Sequence, residues 1–292
     1  MQFRGVETMK RTHANMILVI IAIVWGGGFI ATQGALDGFT PMWMMTIRFF
    51  VAGSILLCFS YKQIITLNKH TIFKGIIAGF LLFCAFAFQT IGIQYTTASK
   101  SAFLTATNVI FVPYLLWGVM KRKPKRKEII ASIACMVGVA LLTLDGSGFS
   151  LSKGDFLTII CAMFFSLHMI AIEQFSNRIP ALALTCLQLL TAGFLSLIFA
   201  IPFESVPSNI SSSAFQSLLF LIFLSTLFAY LLQTIAQKYT SANTTALILS
   251  MEALFACLFA YLFLKERMSI SMIIGGVIIF ASVVWMEWRK KV

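Results

Sequence analysis

The sequence is poor in charged residues. Asp, Glu, Lys and Arg make up 11% of its 292 residues, against about 25% in an average soluble protein. Carboxylates are the scarcest, with 10 Asp and Glu against 22 Lys and Arg, while hydrophobic residues reach 59%. This composition leaves little polar surface for a soluble domain, so the sequence predicts a protein that crosses a membrane many times.

Catalytic and metal-binding patterns are also missing from the sequence. It holds three histidines, at 13, 70 and 168, and no His-Glu-x-x-His, Gly-x-Ser-x-Gly or phosphate-binding loop. Its six cysteines lack Cys-x-x-Cys spacing and fall inside apolar stretches, so we interpret them as small buried residues. We therefore expect no enzyme, no cofactor and no metal site.

Long apolar runs without charge predict the fold class. Residues 14–36, 75–99 and 180–203 each exceed the roughly 20 residues that a helix needs to cross a bilayer. Lipid cannot satisfy an exposed backbone, so such segments are helical. We predict an all-α integral membrane protein with ten transmembrane helices, near residues 14–36, 41–60, 72–93, 98–119, 127–145, 154–174, 181–200, 214–236, 243–264 and 269–288.

The chain repeats itself. Residues 89–98, with Gln-Thr-Ile and Tyr-Thr-x-Ala, recur as residues 233–242, and residues 48–53 match 188–193. Each half then holds five predicted helices, and since five is odd the second copy is inverted in the membrane. Two inverted five-helix repeats are typical of secondary transporters, whose substrate site lies near the midplane between the repeats.

The repeat also predicts the domain boundaries. The link between the halves is rich in Gly and Ser, and both ends of the chain carry basic residues. The predicted parts are a cytoplasmic N-terminal segment 1–13, a first repeat 14–145, a linker 146–153, a second repeat 154–288 and a cytoplasmic tail 289–292.

The positive charge is unevenly distributed. With a cytoplasmic N-terminus, seventeen of the 22 Lys and Arg residues fall on the cytoplasmic side of the predicted helices. This is the bias of membrane proteins, and it predicts a cytoplasmic (plasma) membrane location with both termini in the cytoplasm. The largest cluster, residues 121–127 (KRKPKRK), suits anionic lipid headgroups rather than nucleic acid. The expected partners are the lipid bilayer and a small-molecule substrate, with no nucleic acid.

Glu252 is the single carboxylate predicted well inside a helix. An ionisable group at that depth costs about 2.5–3.5 kcal/mol, so it should face a cavity or a partner. It either accepts a substrate ammonium group, carries a proton as the coupling ion, or bonds to neighbouring helix backbones. Its counterpart in the repeat is Asn108, which shares a helical face with Thr105.

Three further residues complete the candidate site. Arg48 pairs with an anionic substrate group, with Asp37, or with carbonyl groups of another helix, or it extends its long side chain outward. Trp25 precedes three glycines that leave space for a ligand or for close helix packing. His168 is a ligand or a packing group. Gln89 and Gln233 occupy predicted helix ends, and we interpret them as structural.

Several local motifs resemble one transporter family. Ile23-Val-Trp-Gly-Gly-Gly-Phe, Pro41 to Arg48-Phe49, Glu252 to Phe255, Leu264-Lys-Glu-Arg-Met268 and Ile274-Gly-Gly276 together resemble permeases of the drug/metabolite transporter superfamily built from two EamA domains. Two positions depart from that pattern: Ala253 stands where the family has proline after the glutamate, and Lys265 where it has glycine.

The resemblance implies a function. It implies a permease of the cytoplasmic membrane, often an exporter of amino acids or other small metabolites, that works by alternating access around a cavity lined by helices one, three, four, six, eight and nine. A translocator of activated sugars or lipid headgroups and a membrane-embedded transferase are the alternatives. Direction, coupling ion and the choice between monomer and dimer stay open.

Overall fold

The computed structural model describes residues 9–143, 152–264 and 270–288, and within those ranges every regular element is helical. We number ten helical segments there. They are α1 Arg11–Leu36, α2 Pro41–Ile64, α3 Lys69–Ile93, α4 Ala98–Ala106 with Asn108–Met120, α5 Arg126–Thr143, α6 Lys153–Phe175, α7 Ala181–Phe203, α8 Ser212–Phe220 with Leu221–Phe228 and Ala229–Gln237, α9 Ala242–Leu249 with Met251–Leu264, and α10 Ile270–Trp288.

Eight of these segments are long and apolar enough to cross a membrane: α1 to α4 and α6 to α9. Helix α10 holds a shorter apolar stretch, Ile273–Met286, and α5 begins with three charged residues. The all-helical, multi-pass prediction is thus confirmed, while the count of ten membrane-spanning helices stays a prediction. Tail residues 289–292, most of the linker and the motif at residues 265–268 lie outside the described ranges.

Helix ends follow from local chemistry. Pro41 occupies the first position of α2, where its missing N–H is not needed. Five helices begin after a side chain that accepts a hydrogen bond from the exposed backbone amides: Asn68, Thr97, Ser152, Ser211 and Ser241. Ser152 and Asp155 cap each other reciprocally, so α6 already begins at Lys153, the last residue of the predicted linker.

The two halves of the chain interlock rather than packing side by side. Helix α2 packs along α7, α3 along α6, α5 along α10, and α1 against α8 and α9. The α2–α7 contact is reciprocal: a Cβ on Gly53 would lie 2.8 Å from Leu190 Cδ2, and one on Gly193 would lie 3.1 Å from the Phe50 amide. Since 48–53 and 188–193 are matched segments, this is the contact that a two-fold relation between repeats would produce. The inversion itself stays a prediction.

Helices α4 and α9 are interrupted near their middles. The Thr107 hydroxyl donates to the Leu104 carbonyl at 2.6 Å, and the Ser250 hydroxyl donates to the Leu247 carbonyl at 2.6 Å. Such bonds compete with the helical backbone pattern. A proline inside a helix removes a backbone hydrogen bond and favours a kink, yet the interruption of α4 lies at Thr107 and not at Pro113. Helix α9 is interrupted although Ala253 replaces the family's proline.

The outer surface of the bundle is apolar. Many large apolar side chains are exposed there, and Phe59, Phe203 and Phe263 are each more than 70% exposed. Cys58 lies beside Phe59 and is exposed as well, so the prediction that all six cysteines are buried is wrong for this residue. A small apolar side chain is as stable in contact with lipid as inside the protein. The apolar surroundings of Cys58 in the sequence therefore did not determine whether it is buried.

Candidate functional site

A cavity lies at the centre of the bundle, where α1, α2, α3, α4, α6, α8 and α9 meet. About 470 Å³ of space free of protein atoms lies between its walls, part of it open to solvent. Helix α2, through Arg48, adds to the six helices that the resemblance implied. The lining residues are Trp25, Gly28, Phe29, Thr32, Arg48, Phe86, Gln89, Thr105, Asn108, Phe165, Met169, Ser225, Tyr230, Leu249 and Glu252.

Aromatic rings form one wall of this cavity. The Trp25 and Tyr230 ring centroids are 5.1 Å apart, and Phe86 lies edge-on to both Phe165 at 5.3 Å and Tyr230 at 6.0 Å. The Trp25 indole N–H donates to the Ser225 carbonyl at 3.0 Å, which fixes the ring. Interlocked rings of this kind present a stiff apolar surface that takes a side chain of matching shape.

Arg48 is the cationic group of the cavity wall and is 1% exposed. Its Nε donates to Thr226 Oγ1 at 2.8 Å and its Nη2 lies 3.4 Å from Ser225 Oγ, while Cζ lies 4.6 Å from the Phe86 ring centroid. Among the described residues no carboxylate lies within ion-pair distance, and Asp37 is not a partner. Hydroxyl groups and a ring therefore hold the guanidinium without neutralising its charge.

A π-helix places these hydroxyl groups. Residues 221–228 of α8 form the wider i to i+5 helix, and Ser225 and Thr226 lie inside it. π-Helical segments are rare in proteins, and those that occur often lie at functional sites. Here the Ser225 carbonyl receives Trp25 while the two neighbouring hydroxyls receive Arg48. One local distortion thus orients both the ring and the cation at the cavity.

Glu252 and Asn108 face the same cavity from the interruptions of α9 and α4. Each lies in the first turn after the interruption, and they are 4% and 2% exposed. Within the described ranges Glu252 forms no hydrogen bond or ion pair, and the Asn108 side-chain oxygen has no partner. Buried polar groups are normally satisfied, so the Glu252 carboxylate and the Asn108 side-chain oxygen are candidate contacts for a ligand in this cavity.

Thr105 and Gln89 complete the polar wall. The Gln89 amide donates to the Thr105 hydroxyl at 3.1 Å, and both side chains line the cavity. We expected Gln89 to be structural because it lies near a helix end; α3 ends at Ile93 as predicted, and Gln89 is nevertheless among the residues that line the cavity. Its repeat counterpart Gln233 bonds to Gln237 instead and is not part of the cavity wall.

His168 lies outside the cavity. Its Nε2 is 2.6 Å from Gln188 Oε1, and the Gln188 amide donates to Thr234 at 3.3 Å. The ring is 1% exposed and packs edge-on against Tyr230, 5.9 Å between centroids. The structure thus brings together five of the six candidate residues, namely Trp25, Arg48, Thr105, Asn108 and Glu252, and leaves His168 behind the aromatic wall.

Sequence reasoning missed three residues of this site. Tyr230 was one of many aromatic residues, and Ser225 and Thr226 carried no motif. One signal was present: these two hydroxyls are adjacent in the otherwise apolar stretch LIFLSTLF. In the described part of the chain no group of three or more His, Cys, Asp and Glu side chains is placed to hold a metal.

Comparison with known proteins identifies the family. The EamA-like transporter family matches residues 13–144 and 152–288. The chain belongs to this family. An uncharacterized transporter of Archaeoglobus fulgidus is 31% identical over 285 residues, covering 98% of this chain and 89% of its own. The uncharacterized transporter YoaV of Bacillus subtilis is 21% identical over 272 residues, covering 90% and 92%.

The fold is shared with a solved protein. A crystal structure 14% identical in sequence superposes with a TM-score of 0.79, covering 94% of this chain and 96% of that one. At this identity the likeness shows the fold alone. Family membership and the transporter relatives make this EamA-family protein a membrane transporter rather than an enzyme.

Proposed function

We propose that this EamA-family protein is a secondary active transporter that exports zwitterionic amino acids, or small metabolites of the same charge pattern, by alternating access. One observation carries the proposal: Arg48 and Glu252 line the same cavity, and neither is paired with an opposite charge among the described residues. A ligand that brings one carboxylate and one ammonium group satisfies both.

Burial makes such a ligand favourable. An ion without a partner in a low-dielectric site loses its hydration, and an opposite charge that arrives with good geometry restores much of that loss. The guanidinium can donate two parallel hydrogen bonds to a carboxylate. Its unused donors and Glu252 thus define the two ends of a polar ligand, while Trp25, Phe86 and Tyr230 face its side chain.

The neutral polar residues of the cavity wall support one orientation of the ligand. The free Asn108 oxygen is a second acceptor for an ammonium group, and Thr105 and Gln89 form a neutral pair next to it. Glu252 is also the residue we assign to proton coupling, because a proton and an ammonium group are alternative partners for the same carboxylate. Binding of one therefore excludes the other, which links the two fluxes.

Location and direction rest on the sequence. The distribution of Lys and Arg supports a cytoplasmic membrane with both termini in the cytoplasm. The matched segments support two inverted repeats, 14–145 and 154–288, joined by the linker 146–153. The exporter direction rests on the family resemblance, and both monomer and dimer are compatible with it.

The alternatives find less support in the cavity wall. Arg48 is its single Lys or Arg, whereas a phosphate-bearing sugar or lipid headgroup would call for several cations. A transferase would need a cluster of catalytic groups, and the described cavity offers a single carboxylate. The wall thus favours a ligand with one negative and one positive group.

Counterflow in proteoliposomes tests the proposal. Vesicles containing the purified protein are loaded with one unlabelled compound from a panel of amino acids, amines, carboxylates and sugar phosphates, and uptake of the labelled compound is followed. We expect exchange with zwitterions, most strongly with those bearing apolar side chains, and acceleration by a pH gradient. Exchange limited to sugar phosphates, or to amines and carboxylates that lack the second charge, would contradict it.

A further inference from the structure

Helix α6 is joined to its neighbours by hydrogen bonds and an ion pair near its C-terminal end. The Glu173 carboxylate accepts the Ala242 amide at 2.9 Å, at the start of α9, and lies 3.3 Å from Arg122 Nη1. One turn earlier the Met169 carbonyl, in a residue that lines the cavity, accepts the Gln237 amide at 2.9 Å. These contacts lie on the side of residues 121–127, which we name the basic face. They join α6 to α8, α9 and the end of α4.

The matched positions on the opposite face are different. The offset that matches residues 48–53 with 188–193 also pairs Gln33 with Glu173, and the match of 89–98 with 233–242 pairs Ala98 with Ala242. In the described structure Gln33 makes no hydrogen bond with the Ala98 amide. Gln33 instead lines an open groove of about 1030 Å³ between the ends of α1 and α3.

Burial shows the same asymmetry. All eight residues of Ala242–Leu249 are buried and Tyr239 is partly buried, whereas in the counterpart segment 98–105 residues 99 and 100 are only partly buried. On the opposite face the counterpart Tyr95 is 52% exposed. Ile93 stands where the other half has Gln237, so no amide can form the second polar tie. The start of α9 is thus held by an acceptor near the end of α6, whereas the start of α4 meets the beginning of α6 through Lys100 and Thr96, which both contact Asp155.

We propose that Glu173 stabilises the closed state of the basic face, a role that we call the latch. Its carboxylate caps the start of α9 while the basic face is closed and releases it when that face opens. Gln33 makes the corresponding contact with the start of α4 in the other state. A charged acceptor at a helix N-terminus is stronger than a neutral one. The unequal pair therefore biases the resting protein towards the state observed, in which Glu173 is bonded to the start of α9 and Gln33 is not bonded to the start of α4.

The amide contact carries this role more than the ion pair does. The Arg122 side chain is 42% exposed and that of Glu173 23% exposed, and exposed pairs of this kind contribute little. The bond to Ala242, by contrast, joins two helices that line the cavity. The inference rests on the alternating access proposed above, but its test needs no substrate, so it can fail while the proposed substrate class stands.

The test reads the opening of each face with a cysteine in the cavity. Thr32→Cys is introduced into a variant whose six native cysteines are replaced, and labelling by a membrane-impermeant maleimide is measured from each side. With Glu173→Gln we expect labelling from the basic face to rise about tenfold and labelling from the groove side to fall, as the loss of one charge-assisted bond implies.

Glu204 offers a matched control. Its carboxylate accepts the Met42 and Trp43 amides at 2.9 and 3.2 Å, and so caps the start of α2 from the end of α7. Helices α2 and α7 stay packed through Gly53 and Gly193. Glu204→Gln should lower the thermal stability much as Glu173→Gln does, without changing the labelling ratio of the two faces.

The reciprocal change completes the test. Gln33→Glu places the stronger acceptor at the opposite face and should lower labelling from the groove side, most of all together with Glu173→Gln. If Glu173→Gln does not fold, Gln33→Glu alone decides. Unchanged ratios in the folded variants, or an equal change with Glu204→Gln, would show that Glu173 only stabilises the fold and would overturn the latch.

Discussion

The two halves of the chain carry different chemistry at matched positions. Arg48 in the first half faces the cavity, where hydroxyls hold it without neutralising it. Its counterpart Gln188 bonds to His168 and Thr234 in a neutral network outside the cavity. Likewise, Glu252 in the second half is the counterpart of Asn108 in the first half. The matched segments 48–53 and 188–193 pack against each other, but each half contributes a single charge to the cavity wall, and the two charges are of opposite sign.

Under the proposed function, this difference fits a ligand whose two ends carry opposite charges. Two identical charges on a pseudo-two-fold axis would bind a ligand equally well in two orientations and would repel each other when buried. One cation and one anion at unmatched positions define a single orientation. An unpaired buried charge is costly, so both positions are informative about the ligand rather than about stability.

The largest effect is expected when position 48 is given the glutamine that its counterpart, Gln188, has in the second half. Arg48→Gln removes the cation that we assign to the substrate carboxylate, and we expect zwitterion affinity to fall about 100-fold, or ~3 kcal/mol. Equilibrium binding and counterflow in proteoliposomes measure it. Arg48→Lys, which keeps the charge but not the two-pronged geometry, should lie in between. Equal affinity in Arg48→Gln would remove this residue from the site.

Glu252→Gln tests the other charge. Losing the ammonium partner should weaken zwitterion binding about 30-fold, ~2 kcal/mol, and abolish the acceleration by a pH gradient. Exchange and pH-driven transport are measured on the same vesicles. Exchange that survives while the pH effect disappears would make Glu252 a proton carrier alone. Normal affinity and normal pH dependence in a folded variant would exclude it from the mechanism.

A smaller effect is expected at the π-helix. Thr226→Val keeps the shape of the side chain but removes the hydroxyl that receives Arg48 Nε, and one such bond contributes about 1 kcal/mol. We expect a roughly fivefold loss of affinity for ligands with a carboxylate and no change for those without one. Thr185→Val, which removes a hydroxyl bonded to Thr234 outside the cavity, is the matched control. The same loss in both variants would argue against positioning by Thr226.

The smallest effect on binding is expected at His168. His168→Phe leaves the Gln188 oxygen without its partner, and a buried unsatisfied group costs about 1–3 kcal/mol. Thermal unfolding in detergent should therefore occur at lower temperature, while zwitterion affinity in the folded protein stays as in wild type. A selective loss of affinity with unchanged stability would place His168 in the site after all.

Much of the fold could be predicted because membrane helices depend on local composition. Every described helix end lies within four residues of its predicted position, since apolar length and capping residues act locally. The interruptions could not be placed in this way. Thr107 and Ser250 interrupt their helices through their own side-chain bonds, whereas attention to proline pointed to Pro113.

The candidate site, too, was predictable from the sequence only in part. Charge at membrane depth is so costly that Glu252 and Arg48 stand out from the sequence alone, and the repeat already pairs Glu252 with Asn108. Which face each residue presents, and which residues it meets 100 or more positions away, depends on helix rotation and packing. That is why His168 was included and why Ser225, Thr226 and Tyr230 were missed.

By itself the sequence determined an all-helical membrane protein made of two related halves with a few polar groups at depth, because hydropathy and repetition are written along the chain. Only the tertiary structure decided which polar groups share a cavity and which of them are already satisfied. Hydrogen bonds between helices are short and directional, so the pairings of Arg48 with Thr226 and of Glu173 with Ala242 exist only once the helices are packed.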